Sequence, residues 1–204
     1  MRDMLLVVSI IVLSGSVHEF AHAWVAHLGG DDTARELGRM TVNPLAHIDL
    51  FWTIILPAML ALMKLAPVGA GKPVPVNPML LTRWWYAASI AAGPLSNLLI
   101  ALVTAAVWRL VLVPIGVTPR VGHLCWLIVV INIGFCVFNL LPIYPLDGSR
   151  VFAVLFLKRT SLVSEGPHAF VVGLLVLSVV MSTRILGRTI DFLVDLVLRM
   201  MGLP

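Results

Sequence analysis

Six apolar stretches, separated by short polar or proline-rich runs, set the expected architecture. They cover residues 4–28, 51–66, 84–113, 121–141, 168–181 and 185–201. The first, third and fourth are long enough to cross a bilayer as helices, which takes about 20 residues. Gly29-Gly30 ends the first. Residues 51–66 are short and broken by Pro57, which predicts a re-entrant element. The polar run 31–43 carries Arg35, Glu36 and Arg39. Its end, Thr41-Val42 followed by Asn43-Pro44, predicts a short interfacial strand or hairpin. Residues 68–78 are rich in Gly and Pro and read as extended backbone. Such a stretch is either a surface loop or an irregular lining to a protein or water-filled cavity. Trp84, Trp85 and Tyr86 form an aromatic belt where the next span begins, and Pro94 should kink that span. Pro142 and Pro145 break the chain after the fourth stretch and leave Asp147 in an unwound segment. The last stretch carries Asp191, Asp195 and Arg199, as a tilted or interfacial helix would.

Composition narrows the class. Of 204 residues, 60% are hydrophobic and 12% charged, and mean hydropathy is +1.02. A soluble domain of this length could not hide so much apolar surface, so the fold class is an all-α polytopic membrane protein. Residues 1–204 form one membrane-embedded domain, with a core over about 4–150 and accessory helices over about 165–201. The net charge of +4 is scattered, with no basic stripe of the kind that binds nucleic acid. Cys125 and Cys136 share one apolar segment and read as packing residues. The N-terminus imitates a signal peptide through Ser14, Gly15 and Ser16, yet its apolar character runs on to Leu28, so it reads as a retained helix. Arg150, Lys158 and Arg159 place their segment on the cytoplasmic side of a multi-pass protein of the cell membrane. The same assignment brings Asp147 and the C-terminal half of the first helix to one leaflet.

That half of the helix contains His18-Glu19-Phe20-Ala21-His22. Four residues apart on a helix, two imidazoles share a face and can hold one zinc ion. Glu19 lies beside them to take a proton from a zinc-bound water. Ionisable groups inside an apolar span are expensive, which raises the weight of the pattern. A catalytic zinc usually takes three protein ligands. Asp147 is the best third ligand, with Asp49, Asp191 and Asp195 as competitors. His27, His47, His123 and His168 read as interfacial or structural. Within Gly93-Pro94-Leu95-Ser96-Asn97, small residues permit close helix contact, and Asn97 is equally a packing residue or a donor across that contact. Ser14-Gly15-Ser16 lacks the pattern of a serine nucleophile.

The metal pattern, the Gly93–Asn97 run and the run from Asn139 to Asp147-Gly148, in this order, resemble the site-2 protease family of intramembrane zinc metalloproteases, peptidase family M50. The resemblance covers roughly residues 17–150. It implies a core of three transmembrane helices, joined here by the re-entrant segment, short interfacial strands and C-terminal helices. It implies one Zn2+ per chain on His18, His22 and Asp147, with Glu19 as catalytic base and Asn139 steadying the oxyanion. The implied partners are the lipid bilayer and a transmembrane protein or peptide substrate, cleaved toward the cytoplasmic side. No PDZ or CBS domain is recognisable, and residues 68–77 could pair with an unwound substrate by strand addition. Two other classes compete. A metal transporter would explain the ligands but gives Glu19 no task and would favour an inverted repeat, which is absent. An inactive scaffold with structural zinc would not need every catalytic position filled.

Overall fold

The computed structural model describes residues 2–48, 55, 72–157 and 167–203. Among them all regular structure is helical. Helix α1 spans Arg2–Leu28 and α2 is a single turn, Thr33–Glu36. A 3-10 turn, Pro44–His47, follows. Helix α3 spans Arg83–Val107 and runs on as a π turn, Trp108–Leu112. Then come α4, Pro119–Asn139, and α5, Asp147–Phe156. The chain closes with α6, Pro167–Ser182, and α7, Ile185–Met200. Three helical runs are long and apolar enough to cross a membrane: Asp3–Leu28, Arg83–Leu112 and Pro119–Asn139. Residues of α6 and α7, bent by 63° at a short break, pass the same test only as a pair. Three or four spans fit an integral membrane protein.

Local chemistry sets the helix ends. Gly30 adopts φ +103°, and the Asp31 N–H donates to the Ala26 carbonyl, so α1 stops with its last carbonyls paired. Thr82 caps α3 by accepting from the Trp85 N–H. Arg83 reaches across to the other end of α5, where its Nε and Nη2 donate to the carbonyls of Val154 and Leu155.

Helix α3 lies between α1 and α4. Its contact with α1 gathers Ala26, Tyr86, Ala87 and Ile90, closed by Leu81 and by Val154 of α5. Its far half packs Ala101, Ala105 and Trp108 against Cys125, Val129 and Ile133 of α4 and against Val194 and Leu198 of α7. Ala26, Ala87, Ala101 and Ala105 let the helices approach closely, because hydrocarbon offers helices no hydrophobic reward for associating. Close packing must supply it instead. The opposite faces carry Leu5, Val8, Leu13 and Trp24 of α1, all exposed, as lipid-facing residues should be.

Some expectations change. The interfacial strand at Thr41-Val42 is absent from the described residues. Asn43 instead bonds locally, its N–H to Thr41 Oγ1 and its Oδ1 from the Leu45 N–H, and so starts the 3-10 turn. The segment after Asp147 is helical where the sequence read only an unwound break. Trp84 and Trp85 are exposed, but Tyr86 turns inward. Pro94 lies inside helix α3, where the sequence placed it. The expected re-entrant element at 51–66, Asp49, and residues 68–71 lie outside the described residues, Ile55 apart.

Candidate metal centre

His18 and His22 lie on the buried face of α1, and Asp147 opens α5. Nε2 of His18 is 3.1 Å from Asp147 Oδ2, Nε2 of His22 is 3.3 Å from it, and the two Nε2 atoms are 3.0 Å apart. One ligand atom from each residue lies within 4.8 Å of the other two. Tetrahedral zinc with ~2.0–2.1 Å bonds separates its ligand atoms by about 3.3 Å, so the three fit one ion. Burial alone would raise the Asp147 carboxyl. Hydrogen bonds and charge from His18 and His22 outweigh that and hold it well below the usual carboxylate range. Its place in the first turn of α5 favours the anion as well.

Two glycines make room for this arrangement. A Cβ on Gly93 would fall on the His22 ring and 2.7 Å from His18 Nε2, so α3 can pass behind the ligands only with glycine there. A Cβ on Gly148 would strike the carbonyls of Leu140 and Leu141, which fold back over the start of α5.

Each imidazole is held by its other nitrogen. Nδ1 of His22 lies 2.8 Å from the Ser89 carbonyl, which can only accept. Nδ1 of His18 lies 2.7 Å from Asn97 Oδ1. The Asn97 orientation follows from its neighbours: Nδ2 donates to Asn132 Oδ1 at 3.0 Å and to the Ser14 carbonyl. Asn132 Nδ2 donates in turn to Ser14 Oγ and to the Ile128 carbonyl. Both asparagines are fully buried. On both histidines Nδ1 therefore faces an acceptor and Nε2 faces the common point.

Glu19 is held separately. Its Oε2 accepts the Val74 N–H at 2.7 Å. Val74 packs on Ala23 and Ala34, which seats residues 72–77 along the second half of α1. That segment is anchored at both ends. The Lys72 N–H donates to the His47 carbonyl, and the Asn77 N–H donates to Asp31 Oδ2 at 2.6 Å. Asp31, itself 1% exposed, also accepts from the Thr33 N–H and hydroxyl. In the described part of this stretch Lys72 and Pro73 are exposed, Val74 is buried and residues 75–78 are half-buried.

The structure thus brings His18, His22 and Asp147 together. It leaves Asp191 and Asp195 exposed on α7. Asn139 does not join the cluster: its Nδ2 donates to the Phe135 carbonyl in its own helix. His47 bonds the Thr41 carbonyl, His27 pairs with Asp32, His123 stacks on Trp126, and His168 is exposed. Sequence reasoning missed Ser14, Ser89, Asp31 and Asn132. Asn132 alone carried a signal, as a lone amide in the middle of an apolar span.

The chain is homologous to the protein named "Putative zinc metalloprotease YwhC" of Bacillus subtilis (strain 168), with 36% identity over 155 residues. The match covers 72% of this chain and 66% of that protein, a little under two thirds of its length. No family model and no solved structure matches the chain. The donor set of two imidazoles and a carboxylate suits a zinc ion.

Proposed function

We propose that this protein is an intramembrane zinc metalloprotease of the site-2 type, hydrolysing peptide bonds of transmembrane substrates. One observation carries the reading. Three zinc-type ligand atoms converge next to an acid, Glu19, on a helix apolar enough to span a membrane. A transporter would need the ligands but not the acid beside them.

His18, His22 and Asp147 would hold the ion. Zinc bound there supplies Lewis acidity, making water acidic toward pH ~7 and polarising a scissile carbonyl. The chain's own groups do the rest. The Val74 N–H fixes Glu19 through Oε2, and Oε1 has no hydrogen-bond partner among the described residues. Oε1 accepts the proton of the attacking water and returns it to the leaving amine. Asn139 spends one Nδ2 hydrogen on Phe135; the second has no partner among the described residues and is the one that would steady a developing oxyanion. The substrate helix must unwind before its carbonyl can be attacked, because its backbone groups are otherwise paired and shielded. The site faces the cytoplasmic leaflet, following the positive charge after Asp147.

Glu19→Gln is the test. The amide keeps an acceptor for the Val74 N–H but cannot take a proton. Purified Glu19→Gln protein in lipid should bind zinc in the wild-type ratio and fail to cleave a reporter transmembrane segment. Undiminished cleavage would remove Glu19 as the base. Metal flux in the absence of any cleavage by the wild type would favour a transporter.

A further inference from the structure

Helix α7 packs along α4 and antiparallel to it. Near its start, Ile190 lies against Gly134. Just past its end, Leu203 packs with Trp108 and Cys125, and Gly202 lies beside Arg109. Between these points Val194 and Leu198 join Val129 and Ile133. The segment from Ile190 to Arg199 therefore runs beside the middle of α4, a 21-residue apolar helix that meets the length and hydropathy of a span. It is not laid out beyond that helix's ends.

Along this segment and the turn before it, α7 exposes a row of charges. Arg188, Asp191, Asp195 and Arg199 follow one another at intervals of three, four and four, so they form a single stripe, with Arg184 just before the helix at its N-cap. All are exposed, as is Phe192 beside them. Arg199 and Asp195 approach to 3.4 Å within the helix. Arg188 and Asp191 have no ion-pair partner among the described residues. Charged groups at membrane depth face a protein interior or a wet cavity, and pair there.

We propose that this stripe is a homodimer interface in which Arg188 of each protomer pairs with the partner's Asp191. Two copies in one membrane share an orientation, so a two-fold axis along the membrane normal sets the two α7 helices parallel and in register. Arg188 then sits three residues, about 4.5 Å of rise, from the partner's Asp191, within reach of an arginine. Asp195 stands about 6 Å of rise from the partner's Arg199. Each pairing occurs twice, and residues 188–199 carry two charges of each sign, so the stripe complements itself. Phe192 fills the flank of the contact.

The test is fluorescence energy transfer between donor- and acceptor-labelled copies of the full chain in liposomes at a fixed protein-to-lipid ratio. Wild type should show transfer that unlabelled protein competes away. Arg188→Asp and Asp191→Arg should each lower the dimer fraction by about tenfold or more, because each sets like charges against each other. The double variant Arg188→Asp/Asp191→Arg should restore it. Zinc content, which reports the distant site on α1 and α5, should be equal in all four proteins. Monomeric wild type, transfer unchanged by the single reversals, or a double variant no better than the singles at equal zinc content would overturn the proposal.

Discussion

Asn97 Oδ1 lies 2.7 Å from Nδ1 of His18, and the amide of Asn97 is itself committed to Asn132. A ligand on α1 is thus aimed by a residue on α3, which is aimed by a residue on α4. Asn97→Leu removes the acceptor that fixes the ring, and zinc affinity should fall about 10–100-fold. Competition with a chelator of known affinity measures it. Asn132→Leu should act in the same direction but more weakly, since Asn97 keeps its bond to His18.

Gly93→Ala separates the site from the fold. Alanine favours the helix by about 1 kcal/mol, while overpacking costs about 1–3 kcal/mol, so α3 should survive with little net change. The methyl, however, falls where the two Nε2 atoms lie. Helical circular dichroism should be preserved and bound zinc, read by atomic absorption, should be lost.

Val74→Pro deletes the N–H that holds Glu19 in a segment already flanked by Pro73 and Pro75. A hydrogen bond to a charged group contributes about 1.5–3 kcal/mol, and its loss should appear as a turnover lowered by about tenfold or more. Zinc stoichiometry should not change. Equal turnover would mean that Glu19 needs no help from this segment.

Asp31→Ala strips the anchor from the same segment and takes the acceptor from the half-buried Asn77 and Thr33 donors. Stability should fall by about 1 kcal/mol for each hydrogen bond lost. The sharper readout is limited proteolysis, with faster cutting within residues 72–80.

Asp147→Asn should lower zinc affinity without unfolding the protein, since the amide keeps the size of the carboxylate and loses its charge. Zinc titration in lipid, with helical content as the control, measures this. Wild-type affinity in the variant would exclude Asp147 as a ligand.

Much of this protein was legible in the chain itself. Spans are long, one-dimensional and apolar, and backbone satisfaction in lipid leaves them little choice but helix. The interval between His18 and His22 fixes their common face by helical geometry alone. The Gly29-Gly30 stop follows likewise from local backbone preference. What sequence could only rank was the third ligand. Four acids competed, and their separation in the chain says nothing of which one a fold returns to α1. Helix α5 was missed because it is short and follows two prolines. The strand at Thr41-Val42 failed because the hydroxyl and amide side chains of Thr41 and Asn43 satisfy the backbone locally.

The tertiary structure decided everything that depends on how helices cross. Ser14, Asn97 and Asn132 are isolated polar residues on three spans, and only the rotation of those spans makes them one hydrogen-bonded chain ending at His18. Whether Glu19 is free or held rests on where residues 72–77 lie, which no periodicity encodes. Helix periodicity is a property of neighbours along the backbone, so sequence carries it. The convergence of buried polar groups is a property of packing at close range, where a shift of one ångström makes or breaks a bond, and only the folded chain fixes that.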